Sequence, residues 1–123
     1  MSAKIGAIVL SRCDSSRLPR KALRRVNDKV LLEYVLERAF KVEGLSGICV
    51  ATSDRSVDDP IARYCQQNSI ACFRGSGSDV ASRFINCMEA NGWDAGLRIN
   101  GDSPLHNQRA LTQAVDLYTS FEI

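Results

Sequence analysis

The sequence predicts an α/β fold in which a parallel sheet carries helices on both faces. Short apolar runs alternate along the chain with amphipathic segments, in the order β-α-β-α-β-α-β-α. The connections between them are short, so successive strands are expected to lie parallel in one sheet. The first run, residues 5–10, is almost continuously apolar, which is typical of a central strand buried on both faces.

The size and composition of the chain predict a single domain over residues 1–123. The chain is 45% hydrophobic and 24% charged, a balance that allows a sizeable core and excludes the fibrous and disordered classes. The five cysteines lack CxxC or metal-ligand spacing and are expected to be small core residues in a reducing compartment. No segment resembles a signal peptide or a membrane span, so we expect a soluble, cytoplasmic protein without a membrane partner.

The first helix is predicted over residues 31–42, where apolar side chains recur at helical spacing. Asn27 or Asp28 is expected to cap its start, and Gly44 is expected to end it. The later elements are expected at residues 47–52 (strand), 60–68 (helix), 70–73 (strand), 79–90 (helix), 96–99 (strand) and 109–119 (helix). Trp93 is expected to pack as a plug at the end of the third helix.

Polar stretches follow three of the predicted strands, at residues 11–21, 74–79 and 100–104. Ligands of open parallel sheets bind outside the carboxyl ends of the strands, so these stretches are the candidate site.

The stretch at residues 11–21 combines three hydroxyls with four cations. Arginine and lysine form charge-assisted hydrogen bonds to phosphate oxygens, and serines and backbone amides add neutral donors. The stretch therefore suits a nucleotide triphosphate, although it contains neither a P-loop nor a dinucleotide fingerprint. The alternative is a solvated basic loop.

The other two stretches have structural alternatives as well. Asp102, beside Gly101 at a strand end, can hold Mg²⁺ or simply belong to a turn. In the stretch 74–79, Gly75 and Gly77 allow a planar base to approach the backbone. The last residues of that stretch, Ser78 or Asp79, can instead cap the next helix. His106 lacks a partner at a useful spacing and is expected to be a surface residue.

Five segments of the sequence carry a resemblance to a known family: GAIVLSRCDSSRLPRKAL, KVLLEYVLER, VATSDRSVDDPIA, CFRGSGSDVASRF and LRINGDSPL. In this order they resemble the N-terminal half of cytidylyltransferases of the spore-coat polysaccharide type. These proteins are related to the enzymes that make CMP-KDO and CMP-sialic acid. The resemblance implies a Rossmann-like α/β fold of the nucleotide-diphospho-sugar transferase type.

The resemblance also implies a reaction, in which CMP is transferred from CTP to a sugar and pyrophosphate is released during surface polysaccharide biosynthesis. Arg12 and Lys21 are the implied catalytic residues, and Asp102 is the implied ligand of Mg²⁺. The implied nucleotide-binding residues are Ser11, Arg12, Ser15, Arg17, Lys21, Arg74, Ser76, Asp79 and Arg83. The implied partners are CTP, the sugar, and a second copy of the chain or the C-terminal half of the family's fold.

Two alternatives to this activity stay open. Asp14 and Arg20 stand where the family has glycine, which leaves room for a nucleotide-binding or interaction domain without catalysis. A nucleic-acid binder that uses the cations of residues 12–25 ranks last. No aromatic residue interleaves with those cations, and the net charge is only +2, so we expect no nucleic-acid partner.

Overall fold

The computed structural model describes residues 4–11 and 23–100. The elements in chain order are β1 (Ile5–Leu10), β2 (Arg25–Val26), β3 (Lys29–Val30), α1 (Leu31–Phe40), β4 (Gly47–Ser53), α2 (Asp59–Gln67), β5 (Cys72–Gly75), α3 (Val80–Ala90) and β6 (Ala95–Asn100). A single 3-10 turn at Ser56–Asp58 precedes α2. In the part of the chain described, no helix has the length and apolar character needed to cross a bilayer.

The four longer strands form one parallel sheet in the order β5-β4-β1-β6. All six residues of β1 are buried, as expected for a central strand with helices above and below it. Alternate residues of the strands supply two hydrophobic clusters, one on each face. One cluster joins the sheet to α1 and α2, and the other joins it to α3. The prediction of a parallel α/β sheet covered on both faces is therefore confirmed.

The start of the first helix differs from the prediction. Val30 occupies the cap position of α1, and no side chain caps the helix, so the prediction of Asn27 or Asp28 was wrong. These two residues instead form the turn between β2 and β3, where Asn27 adopts a left-handed backbone with φ of 63°. Asparagine tolerates this conformation better than most residues, which favours a turn over a helix cap.

The other boundaries agree closely with the prediction except at α1 and β5. The helix α1 ends at Phe40, and Gly44, with φ of 86°, turns the chain further on. The strand β5 begins at Cys72 instead of residue 70, because the amide of Ile70 donates to the carbonyl of Cys65 at 2.8 Å and prolongs the turn after α2. Consequently Arg74 lies in the strand and not in the loop. The last predicted helix, residues 109–119, lies outside the described residues.

Three glycines form a row across the amino-terminal half of the sheet. Gly6 pairs with Gly47 on one side and with Gly96 on the other. The indole ring of Trp93 lies against Gly6 and Gly47, and the ring of Phe84 lies against Gly96. Trp93 therefore packs at the end of α3 as expected. Its ring lies directly against the strand backbone, in the space that the glycines leave because they have no side chain.

We expect Gly6→Ala to lower the free energy of unfolding by about 1–2 kcal/mol, because the added methyl group would overlap the indole of Trp93. Urea unfolding followed by circular dichroism measures this loss. In a Trp93→Leu background the same substitution should cost clearly less, since the overlapping ring is gone. Equal losses in the two backgrounds would contradict the overlap.

Candidate functional site

The carboxyl ends of β1, β4, β5 and β6 meet at one edge of the sheet, as the parallel pairing requires. Ser11 directly follows β1, and its amide donates to the carbonyl of Ala51 in β4 at 3.1 Å. Leu10, before it, pairs with Asn100 at the end of β6. Two of the three polar stretches singled out in the sequence therefore begin from neighbouring strand ends.

Ser11 and Thr52 place two buried hydroxyls at this edge. Leu10 pairs with Ala51, so the next residues of the two strands stand side by side. The exposed fraction is 4% for Ser11 and 0% for Thr52, and neither hydroxyl has a hydrogen-bond partner among the described residues. A buried hydroxyl without a partner costs free energy, so we expect both groups to find partners among groups outside the described residues.

Arg74 has its guanidinium engaged by neighbouring protein groups. Its Nε donates to the carbonyl of Ser53 at 2.9 Å, and its Nη2 donates to the carbonyl of Arg55 at 2.8 Å. Its Nη1 lies 2.9 Å from the carboxylate of Asp59 at the start of α2. The side chain therefore joins the end of β5 to the segment that follows β4. Its predicted contact with a nucleotide stays a prediction.

The residues after β5 form a short loop whose own side chains order it. The amide of Asp79 donates to the hydroxyl of Ser76 at 3.0 Å, and the carboxylate of Asp79 accepts from the amide of Ser82 at 2.9 Å. The capping role foreseen for Asp79 is thus confirmed. Arg83 is only 3% exposed, and its Nη1 donates to the carbonyl of Ser76 at 2.9 Å. This hydrogen bond connects the loop to α3.

Side chains of the protein lie close to Gly75, the last residue of β5, and to Gly77 in the loop that follows. A side chain at Gly75 would meet Phe73 at 2.9 Å and the stem of Arg83 at 3.2 Å. A side chain at Gly77 would meet the guanidinium of Arg55 at 2.6 Å. The backbone at Gly75 and Gly77 is therefore covered by neighbouring side chains of the protein. Approach of a planar base to these glycines stays a prediction.

The segment after β4 contains a buried network that the sequence analysis did not single out. Ser53 and Asp58 are both 0% exposed, and the hydroxyl of Ser53 donates to the carboxylate of Asp58. The same hydroxyl accepts from the amide of Arg55 at 3.3 Å and from its Nε at 3.4 Å. The sequence did contain a signal for this network, because residues 53–59 are a fourth polar stretch that follows a strand.

The other predicted site residues lie outside the described residues: Arg12, Ser15, Arg17, Lys21 and Asp102. The same is true of Asp14, Arg20 and His106. Four of the predicted site residues come together around the loop after β5: Arg74, Ser76, Asp79 and Arg83. Ser11 directly follows β1, and β4 lies between β1 and β5. One intervening strand places them about 10 Å apart across the sheet, a distance that suits a nucleotide extended along the edge.

Among residues 4–11 and 23–100, no three His, Cys, Asp or Glu side chains cluster in a way that could hold a metal ion. Three carboxylates near the edge already bind protein groups, since Asp58 accepts from Ser53, Asp59 pairs with Arg74 and Asp79 caps α3. The predicted metal ligand, Asp102, lies outside the described residues.

A family model for cytidylyltransferases matches residues 6–120 of the chain. Among curated proteins, the spore coat polysaccharide biosynthesis protein SpsF of Bacillus subtilis is 34% identical over 101 residues, which cover 79% of this chain and 42% of SpsF. The family-model match includes the segments in which the predicted site residues lie.

Solved structures agree with this match. A cytidylyltransferase from Leptospira borgpetersenii superposes with a TM-score of 0.89 at 28% identity, covering 98% of this chain and 50% of that one. A CMP:2-keto-3-deoxy-manno-octonic acid synthetase complexed with CTP superposes with a TM-score of 0.83 at 25% identity, covering 97% and 48%. The chain spans half the length, or less, of each of these three relatives.

Proposed function

The chain belongs to the cytidylyltransferase family, and on this premise we propose that it forms the nucleotide-binding part of an enzyme that transfers CMP from CTP to a sugar. The reaction releases pyrophosphate and serves the synthesis of a surface polysaccharide. The observation that carries the proposal is the family match over residues 6–120, which includes all the polar stretches at the carboxyl edge of the sheet. The relative solved with CTP has the same fold and is a synthetase for a CMP-linked sugar acid.

The proposed roles of the residues follow the layout of this edge. The phosphates of CTP are bound by residues 11–21, which follow β1 in the sequence, and the nucleoside lies along the loop after β5. The first group consists of Ser11, Arg12, Ser15, Arg17 and Lys21, and the second of Arg74, Ser76, Asp79 and Arg83. In the second group, Arg74 donates to the carbonyls of Ser53 and Arg55, and Arg83 donates to the carbonyl of Ser76. These hydrogen bonds hold the backbone in place before a nucleotide arrives.

The proposed step is a displacement at phosphorus. An oxygen of the sugar attacks the α-phosphorus of CTP, the bond from that phosphorus to the bridging oxygen breaks, and pyrophosphate leaves with its electron pair. The hydroxyl proton of the sugar passes to solvent. Negative charge grows on the departing phosphates, and Arg12 and Lys21 stabilise it as catalytic residues. Positioning and charge neutralisation carry such a step, so no side-chain nucleophile is needed.

Mg²⁺ is the proposed cofactor, and Asp102 would hold it. A divalent cation bound to a carboxylate and to phosphate oxygens neutralises charge on the triphosphate. The relatives are about twice as long as this chain, and we propose that the rest of their fold supplies the sugar contacts. A second copy of the chain or that C-terminal half is therefore the proposed protein partner, and the cytoplasm is the proposed location.

A binding domain without catalysis is the second candidate, because Asp14 and Arg20 change the phosphate loop. Asp14 adds a negative charge beside the proposed triphosphate, and Arg20 adds bulk at a position where the resemblance implies glycine. Such a domain would still bind CTP, so binding and turnover must be measured separately.

Calorimetric titration with CTP, UTP, ATP and GTP, each with and without Mg²⁺, tests the proposal. We expect binding that is selective for CTP, depends on Mg²⁺, and weakens at least about tenfold, or about 1.4 kcal/mol, in Asp102→Ala. Asp94→Ala is the matched control, because Asp94 accepts from the amide of Lys4 at the opposite edge of the sheet. The proposal would be contradicted if none of the four nucleotides bound to the chain.

Pyrophosphate release separates the two candidates. With CTP, Mg²⁺ and 2-keto-3-deoxy-manno-octonic acid or another candidate sugar acid, turnover supports the enzyme. CTP binding without turnover of any of the acceptors supports the binding domain. Salt-dependent binding to oligonucleotides in place of CTP would favour a nucleic-acid function instead.

A further inference from the structure

The side chain of Arg55 reaches from the segment after β4 to the loop after β5. Its Nε donates to the hydroxyl of Ser53 at 3.4 Å, and its guanidinium lies against the backbone of Gly77. A methyl group on Gly77 would meet this Nε at 2.6 Å, so any larger residue at position 77 would displace the guanidinium. Arg55 is exposed, and an exposed arginine normally samples many rotamers. Its place beside Gly77 therefore needs a specific cause.

The hydroxyl of Ser53 provides that cause. A hydroxyl donates one hydrogen and accepts with two lone pairs. The hydroxyl of Ser53 donates to the carboxylate of Asp58, and it accepts from the amide and from the Nε of Arg55. Ser53 and Asp58 are both 0% exposed, so water does not compete for these groups. The carboxylate takes the hydrogen of the hydroxyl, and both lone pairs are directed to Arg55.

The backbone of Arg55 is held in the same region. Its carbonyl accepts from the amide of Asp58 at 3.0 Å and from Nη2 of Arg74 at 2.8 Å. The amide of Asp54 donates to the carbonyl of Gly75 at 2.9 Å, so the pairing of β4 with β5 continues to the start of the two following segments. The Arg55 side chain therefore begins from a fixed point beside the loop after β5.

The loop after β5 needs such contacts to be ordered. Residues 75–79 have the sequence GSGSD, and glycine loses more backbone freedom on ordering than any other residue. Arg83 donates to the carbonyl of Ser76 from α3, and Arg55 covers Gly77 from the segment after β4. A loop that is ordered before a ligand arrives loses less conformational entropy on binding, which raises affinity.

We propose that the buried pair of Ser53 and Asp58 positions Arg55, and that Arg55 in turn orders the loop after β5 for the nucleoside of CTP. Ser53, Asp58 and Arg55 are thus positioning residues, which act through the loop. The inference rests on the proposed function, because that function places the nucleoside along this loop. The ordering of the loop itself can be measured without any nucleotide.

Amide hydrogen exchange of the chain without ligand tests the ordering. We expect exchange in residues 75–79 to become at least fivefold faster in Arg55→Ala. Arg55→Lys should have the same effect, because lysine keeps the positive charge but has a methylene where arginine has Nε. Arg63→Met, a change of an exposed arginine on α2, is the control and should leave this exchange unchanged. Unchanged exchange in Arg55→Ala would overturn the proposal.

Gly77→Ala tests the contact from its other side. The added methyl group should displace the guanidinium of Arg55, so exchange in residues 75–79 should become faster although the arginine is still present. In an Arg55→Ala background, Gly77→Ala should no longer accelerate exchange, since no guanidinium is left to displace. Equal acceleration in the two backgrounds would show that the contact does not order the loop.

Calorimetric titration with CTP and Mg²⁺ tests the effect on the nucleoside. We expect the Kd to rise at least fivefold in Arg55→Ala and by a similar factor in Arg55→Lys and Gly77→Ala. Arg55 is exposed, so the urea midpoint of each Arg55 variant should stay close to that of the wild type, which separates weaker binding from unfolding. An Arg55→Lys variant that binds CTP as tightly as the wild type would overturn the proposal, because charge alone would then be sufficient.

Failure of the proposed function gives a different result. If the wild-type chain bound none of the four nucleotides, the proposed function and the role of the loop for a nucleoside would both be wrong. Hydrogen exchange would still decide whether Arg55 orders the loop. If the wild type bound CTP and Arg55→Ala bound it equally well, the proposed function would stand and this inference would be wrong.

Discussion

Asp58→Ala is expected to lower the free energy of unfolding by about 3 kcal/mol, the largest effect of any single substitution considered for this protein. Asp58 is 0% exposed, and its carboxylate accepts the hydrogen bond of the Ser53 hydroxyl. Removing the carboxylate leaves that hydroxyl buried without its acceptor and opens a cavity beneath the start of α2. Urea unfolding followed by circular dichroism measures the loss.

The neighbouring residue provides a matched control. Asp59 has the same side chain, but it is about half exposed, and its partner is the partly exposed guanidinium of Arg74. Asp59→Ala should therefore cost only about 0–1 kcal/mol. Asp58→Asn keeps an oxygen that can accept from Ser53 and should fall between the two. Comparable losses for Asp58→Ala and Asp59→Ala would show that the buried network does not stabilise the fold.

Arg83→Met is expected to cost about 2–3 kcal/mol and to loosen the loop after β5. Methionine keeps much of the apolar stem that packs against Gly75 but removes the guanidinium that donates to the carbonyl of Ser76. The carbonyl of Ser76, which is part-buried, then loses a charge-assisted hydrogen bond. Amide hydrogen exchange of residues 75–79 should become faster, and under the proposed function CTP should bind more weakly.

Arg63→Met is the control for this change, because Arg63 is an exposed arginine on α2 and its replacement should alter stability by less than about 0.5 kcal/mol. Hydrogen exchange measures the order of the loop whether or not CTP binds. The role of Arg83 in ordering the loop can therefore be tested separately from the proposed binding of CTP. Unchanged exchange in residues 75–79 of Arg83→Met would contradict the supporting role of the guanidinium.

The sheet and its two helical layers could be predicted from the sequence because hydrophobic patterning is a strong local signal. The burial of residues 5–10 and the start of a helix near Pro60 follow directly from residue type and spacing. The short hairpin of β2 and β3 could not be predicted in this way. Each of its strands has two residues, and the left-handed backbone of Asn27 depends on tertiary contacts more than on composition.

Some local features of the candidate site could be predicted from the sequence, but its contacts could not. The parallel pairing brings the strand ends that precede the polar stretches to one edge, as the pattern implied, and Asp79 caps α3 as its residue type suggests. Binding of a ligand at this edge stays a prediction. Patterning does not reveal which partner a side chain chooses across the fold. Arg74 looked like a loop cation available to a ligand, yet it lies in β5 and bonds to Ser53, Arg55 and Asp59.

The seat of Trp93 on the glycine row has a practical consequence for spectroscopy. Trp93 is the single tryptophan of the chain, so its emission dominates the intrinsic fluorescence. It lies beside Gly6 and Gly47, near the amino ends of β1 and β4, whereas the candidate site lies at the carboxyl ends. A six-residue strand is about 20 Å long. The emission of Trp93 should therefore change when the sheet unfolds. It should change very little when a nucleotide binds at the carboxyl ends of the strands.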